Sequence, residues 1–70
     1  MKTLTQLLDA APSTKARSEA LAAYSDTANS GTSTMAALDA AAEVVGRALF
    51  SAGHSHAKVA RAVGRVADRL

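Results

Sequence analysis

The sequence predicts an all-α fold, a small bundle of three to four helices around a central helical hairpin. Three observations carry that expectation. Alanine fills 18 of 70 positions, phenylalanine and tyrosine occur once each, and cysteine, tryptophan and isoleucine are absent. Alanine is the best helix former, and its small side chain lets helix backbones approach closely. Apolar residues recur at spacings of three and four. Capping residues and stop signals then divide the chain into four segments.

The first helix is expected at about residues 4–11. Thr3 and Gln6 form a capping-box pattern, Leu4, Leu7, Leu8 and Ala11 share a face, and Pro12 ends the helix because the residue before proline disfavours the α region. Ser13 caps a second helix, about 14–27, with an apolar arc of Ala16, Ala20, Ala23, Tyr24 and Ala28 and Leu21 at its edge. The run Asn29-Ser30-Gly31-Thr32-Ser33 is a turn by composition. Ser33 or Thr32 caps the third helix, about 34–52, whose Met35, Leu38, Ala42, Val45, Leu49 and Ala52 make a heptad seam. Glu43 and Arg47 are spaced as an i,i+4 pair in the favourable order, and Gly53 is the stop. Ser55 caps a fourth helix, expected to run unbroken over about 56–70 with Val59, Val63, Val66 and Leu70 on one face.

At 70 residues the chain reads as a single helical domain, residues 1–70. A chain of this size buries only about 60% of its unfolded surface. With no cysteine there is neither a disulfide nor a thiolate metal site, so a partner subunit is the expected source of further stability. The heptad seam makes self-association, as a homo-oligomer or a subunit of an assembly, the corresponding expectation. No run reaches the roughly 18 apolar residues of a membrane span. Met1-Lys2-Thr3-Leu4 lacks the pattern of a signal peptide. No membrane partner and a cytoplasmic location are therefore expected.

The formal charge of +2 is unevenly placed. Residues 1–53 hold Lys2, Lys15, Arg17 and Arg47 against Asp9, Glu19, Asp26, Asp39 and Glu43, net −1. Residues 54–70 hold Lys58, Arg61, Arg65 and Arg69 against Asp68, net +3. On an unbroken helix these four cations fall within about an 80° arc. Such a stripe suits phosphates or an acidic protein surface; the plainer reading is the solvated face of an amphipathic helix. The absence of aromatics in the segment argues against base stacking, and valine is a weak membrane anchor.

The stretch from Gly53 to Gly64, with Ser55 as cap, the apolar-Ala pair Val59-Ala60 and a terminal glycine, resembles the first helix and turn entry of helix-turn-helix DNA-binding proteins. The resemblance implies a recognition helix after the glycine. Here Arg65 replaces the family's apolar residue and no capping Ser or Thr follows.

His54 and His56 form a His-x-His pair. At the mouth of a helix the two side chains diverge, and no third ligand is near in sequence, so no metal and no cofactor are expected. Phe50 lies about 100° from the seam on the helical wheel, near Asp39, Glu43 and Gly46. A lone aromatic beside a glycine is a candidate partner anchor; cover by the first or fourth helix is the alternative. Tyr24 has no companion group for acid–base work. With scattered carboxylates and no base beside a nucleophile, no catalytic residue is assigned and the chain is not expected to be an enzyme.

The function that fits is a small, non-enzymatic interaction or regulatory protein, an inhibitor or adaptor that docks on a larger macromolecule and modulates it. A protein is the leading partner, contacted by Phe50, Lys58, Arg61, Arg65 and Arg69. The alternative is a nucleic-acid-binding regulator using the basic C-terminal helix.

Overall fold

The computed structural model describes residues 2–70, the side chains of Arg65, Asp68 and Arg69 excepted. The chain is all-α: α1 (Leu4–Ala10), α2 (Thr14–Asn29), α3 (Thr34–Ser51), α4 (His56–Val63) and a terminal 3₁₀ helix, Gly64–Arg69, with no strand among the described residues.

Each α-helix starts where a side chain satisfies the free amides of its first turn. Thr3 and Gln6 close the expected capping box: Thr3 Oγ1 accepts from the Gln6 amide at 3.2 Å and Gln6 Oε1 from the Thr3 amide at 2.9 Å. Ser13, Ser33 and Ser55 accept from the amides of Ala16, Ala36 and Lys58 at 3.1, 3.1 and 3.3 Å. α1 stops at Ala10, one residue early, because Pro12 holds Ala11 extended at φ −62°, ψ 136°. α2 runs through Asn29, past the expected end. The hydroxyls of Ser30 and Thr32 donate to the Thr27 carbonyl at 2.8 and 2.6 Å, satisfying a helix-end acceptor from the turn itself. Across the Pro12 turn, Arg17 of α2 donates to the Leu8 carbonyl and to Asp9, both at 3.3 Å.

α3 is the central element, and two of its faces are buried. One is the heptad seam: Ala42, Val45 and Leu49 are buried and Leu38 is half-buried. It shares a core with Leu7 of α1, Val59 and Val63 of α4, and Val66 and Ala67 of the 3₁₀ helix. The seam is thus filled from within the same chain. At its ends Ala52 is exposed and Met35 is 58% exposed, so the row expected to join two copies offers no continuous apolar surface. The other face was not anticipated. Ala37 and Ala41 are fully buried and lie about 180° and 140° around the helix from Gly46. Gly46 is the side of α3 that meets Val59 and Leu70. The opposite side is therefore left for α2, whose Ala16 and Ala20 are buried and whose Ala23, Tyr24 and Thr27 are half-buried. α2 and α3 pack as the expected hairpin through small residues, and alanine contacts put helix axes at the short end of the usual range of about 8–10 Å.

The fourth segment departs from expectation. α4 ends at Val63, and Gly64 takes φ 80°, ψ −151°, a region open essentially to glycine alone. The reason is geometric. Val59 and Leu70 both reach Gly46, yet eleven residues of straight α-helix would separate them by about 16 Å. The chain therefore doubles back at Gly64. Gly64→Ala is expected to cost about 1–3 kcal/mol, read as a lower urea midpoint. Nothing lies within 4 Å of the position its Cβ would take, so crowding would not be the cause. An unchanged midpoint would contradict the backbone reversal.

Candidate docking surface

The basic region is positioned by two local devices. α3 ends in a Schellman motif: the Gly53 amide donates to the Phe50 carbonyl and the His54 amide to the Leu49 carbonyl, both at 3.0 Å. Gly53 supplies the positive φ of 93° that this motif needs. Ser55 then caps α4, which returns along α3 with Val59 and Val63 buried against it. That burial fixes the opposite side: Lys58 and Arg61 are exposed.

The unbroken helix expected to carry the stripe is not present. The α-helix stops at Val63, with Lys58 and Arg61 on its outer side, and residues 65 and 69 belong to the 3₁₀ segment. The side chains of Arg65 and Arg69 lie outside the described residues.

Phe50 is half-buried rather than a free anchor. Its ring packs against the core and also meets the His56 ring, centroids 5.7 Å apart at 35°. The sequence placed Phe50 off the seam correctly; the returning α4 covers it. Among the described residues the exposed large apolar side chains are Leu21 (45%) and Met35 (58%), on α2 and at the start of α3. His54 and His56 are both exposed, and no group of three metal-ligating side chains occurs among the described residues.

Arg47 is a further exposed cation that sequence reasoning did not single out. It was paired with Glu43, but no ion pair joins them within 4.0 Å, and Arg47 is exposed. The pairs among the described residues are Lys15–Glu19 at 3.9 Å and Arg17–Asp9 at 3.3 Å, both in the first twenty positions. The signal was available: no Asp or Glu occurs from Val44 to Ala67. Arg47, Lys58 and Arg61 are thus cations in a segment that carries no carboxylate, and none has an ion-pair partner among the described residues.

Chemically, exposed guanidinium and ammonium groups of this kind can bind anionic groups. An open groove between Pro12, Ala16 and Glu19 of one segment and Ala48 and Ala52 of another has polar groups, Lys15 and Glu19, that pair with each other rather than converge on a ligand. No helix among the described residues is long and apolar enough to cross a membrane. No protein-family model, curated protein or solved structure matches the chain.

Proposed function

We propose that the chain is a small, non-enzymatic binding protein of the cytoplasm. It docks on a larger protein through the outer face of α4 and Arg47, and modulates that protein. The observation that supports this reading is the set of exposed, unpaired cations Arg47, Lys58 and Arg61 in a segment without carboxylates. In the first twenty positions Lys15 and Arg17 do have carboxylate partners. No described carboxylate pairs with Arg47, Lys58 or Arg61, and carboxylates on a partner supply the complementary charge. Because the heptad seam is buried within one chain, the proposed partner is a different protein rather than a second copy.

Nucleic-acid binding through the same cations is the second reading. The fold favours it less: a 3₁₀ helix with buried Val66 and Ala67 follows Gly64 where a helix-turn-helix would place its recognition helix.

Lys58→Glu with Arg61→Glu tests the proposal. Both positions are exposed, and a glutamate at 58 lies in the first turn of α4, where the helix dipole favours it. Stability should change by no more than about 0.5 kcal/mol. In a pull-down from nuclease-treated host lysate, the parent should retain a protein that the double variant loses. Retention by the variant would remove the outer face of α4 from the interface. Loss of the parent's partner on nuclease treatment would instead favour nucleic acid, whose binding should also fall steeply with salt.

A further inference from the structure

Gly46 stands in the middle of α3, where alanine would favour the helix by about 1 kcal/mol. It is buried, and what it supplies is room. A Cβ at this position would run into Cδ1 of Leu70 and lie 3.5 Å from Cγ1 of Val59. Leu70 thus occupies a notch that exists because residue 46 has no side chain.

The segment that delivers Leu70 is built unlike the rest of the fold. It is a 3₁₀ helix of six residues, Gly64–Arg69, longer than the three or four residues over which that geometry is usually sustained, and 3₁₀ hydrogen bonds are poorer than α-helical ones. Its N-cap, Val63, makes no side-chain hydrogen bond, whereas Thr3, Ser13, Ser33 and Ser55 each cap an α-helix. It joins α4 through Gly64, where rotation is least hindered. Its described side chains hold it by packing: Val66 is 4% exposed, Ala67 is fully buried, and half-buried Leu70 fills the notch. The α2–α3 hairpin, by contrast, has capped helices of 16 and 18 residues.

We propose that residues 64–70 are a strap, closed over α3 in this structure, that opens about Gly64 as a unit while α1, α2 and α3 stay folded. Opening uncovers the notch at Gly46 and the adjoining Val59. The chain therefore has two stability levels, with the strap at the lower one. The proposal does not depend on what docks on α4.

Native-state hydrogen exchange on the full chain, followed residue by residue in low urea, tests this. The Leu70 amide, which donates to the Ala67 carbonyl at 3.2 Å, and its neighbours in the strap should be protected. They should nevertheless exchange at least about tenfold faster than the amides of Ala41 and Val45, with a shallower urea dependence. Equal rates and slopes would make the strap part of the global unit and overturn the proposal. Exchange at the rate of an unfolded peptide would show that it is not closed, with the same consequence. Gly46→Ala keeps α3 a good helix and so remains folded. It should speed exchange in the strap by about tenfold or more while leaving α2 and α3 unchanged. In a Leu70→Ala background the same substitution should add nothing, because the side chain it displaces is gone. Strap protection unaffected by Gly46→Ala would show that Leu70 is not held in the notch.

Discussion

Val45→Asp is expected to abolish the fold. Val45 is fully buried in the centre of the core that joins α1, α3, α4 and the terminal segment. The substitution gives up roughly 1.5–3 kcal/mol of apolar burial and leaves a carboxylate, or the proton it must take up, without a partner, at a further cost of a few kcal/mol. A domain of this size has only about 4–10 kcal/mol in hand. Far-UV circular dichroism with urea titration reads the outcome directly. The informative control is Met35→Asp, at the far end of the same heptad row. Met35 is 58% exposed and lies in the first turn of α3, where an acid is tolerated, so its effect should stay within about 0.5 kcal/mol. If the row joined two copies along its length, Met35→Asp would also dissociate and destabilise the protein. That result, or a Val45→Asp variant that melts like the parent, would contradict the placement of the seam inside one chain.

Ala41→Leu is expected to be nearly as damaging for the opposite reason. Ala41 and Ala20 are both fully buried where α2 and α3 pack through small residues. A leucine there has no volume to enter and forces the two helices apart, at a cost of about 1–3 kcal/mol or more. Helix propensity does not account for the loss, since leucine is close to alanine on that scale. Ala22→Leu, on the exposed side of α2, makes the same chemical change with no packing to disturb and should leave the urea midpoint in place. Equal midpoints for the two variants would show that the α2–α3 contact is loose.

The parts of this fold that sequence revealed are those set by local chemistry. Thr3 with Gln6, Ser13, Ser33 and Ser55 cap because a hydroxyl next to a free amide needs no distant partner. Pro12 and Gly53 stop helices through their own backbone preferences. What escaped depended on residues far apart in the chain. The stripe of Ala37 and Ala41 is hidden among 18 alanines, which put some apolar character on every face. The spacing of Val59, Val63, Val66 and Leu70 reports which side of the chain is apolar but not whether its axis continues. The reversal at Gly64 becomes evident only from the shared contact of Val59 and Leu70 with Gly46. The arc of Lys58, Arg61, Arg65 and Arg69 assumed one unbroken rod, and the α-helix stops at Val63. Phe50 was placed correctly on its own helix, and only the return of His56 shows what covers it. The proposed docking surface was legible as a charge imbalance, but its membership was not. Arg47 was assigned to Glu43 by spacing, and a favourable spacing on an exposed helix does not oblige two long side chains to meet.

An isotope-filtered NOESY experiment on an equimolar mixture of ¹³C-labelled and unlabelled protein separates contacts within one chain from contacts between chains. The account predicts that methyl cross-peaks from Val45, Leu49 and Ala41, and the contact of the Leu70 methyl with Gly46, all arise within a single chain. Interchain cross-peaks from Val45 or Leu49, or a Leu70 methyl remote from both Gly46 and Val59, would contradict it.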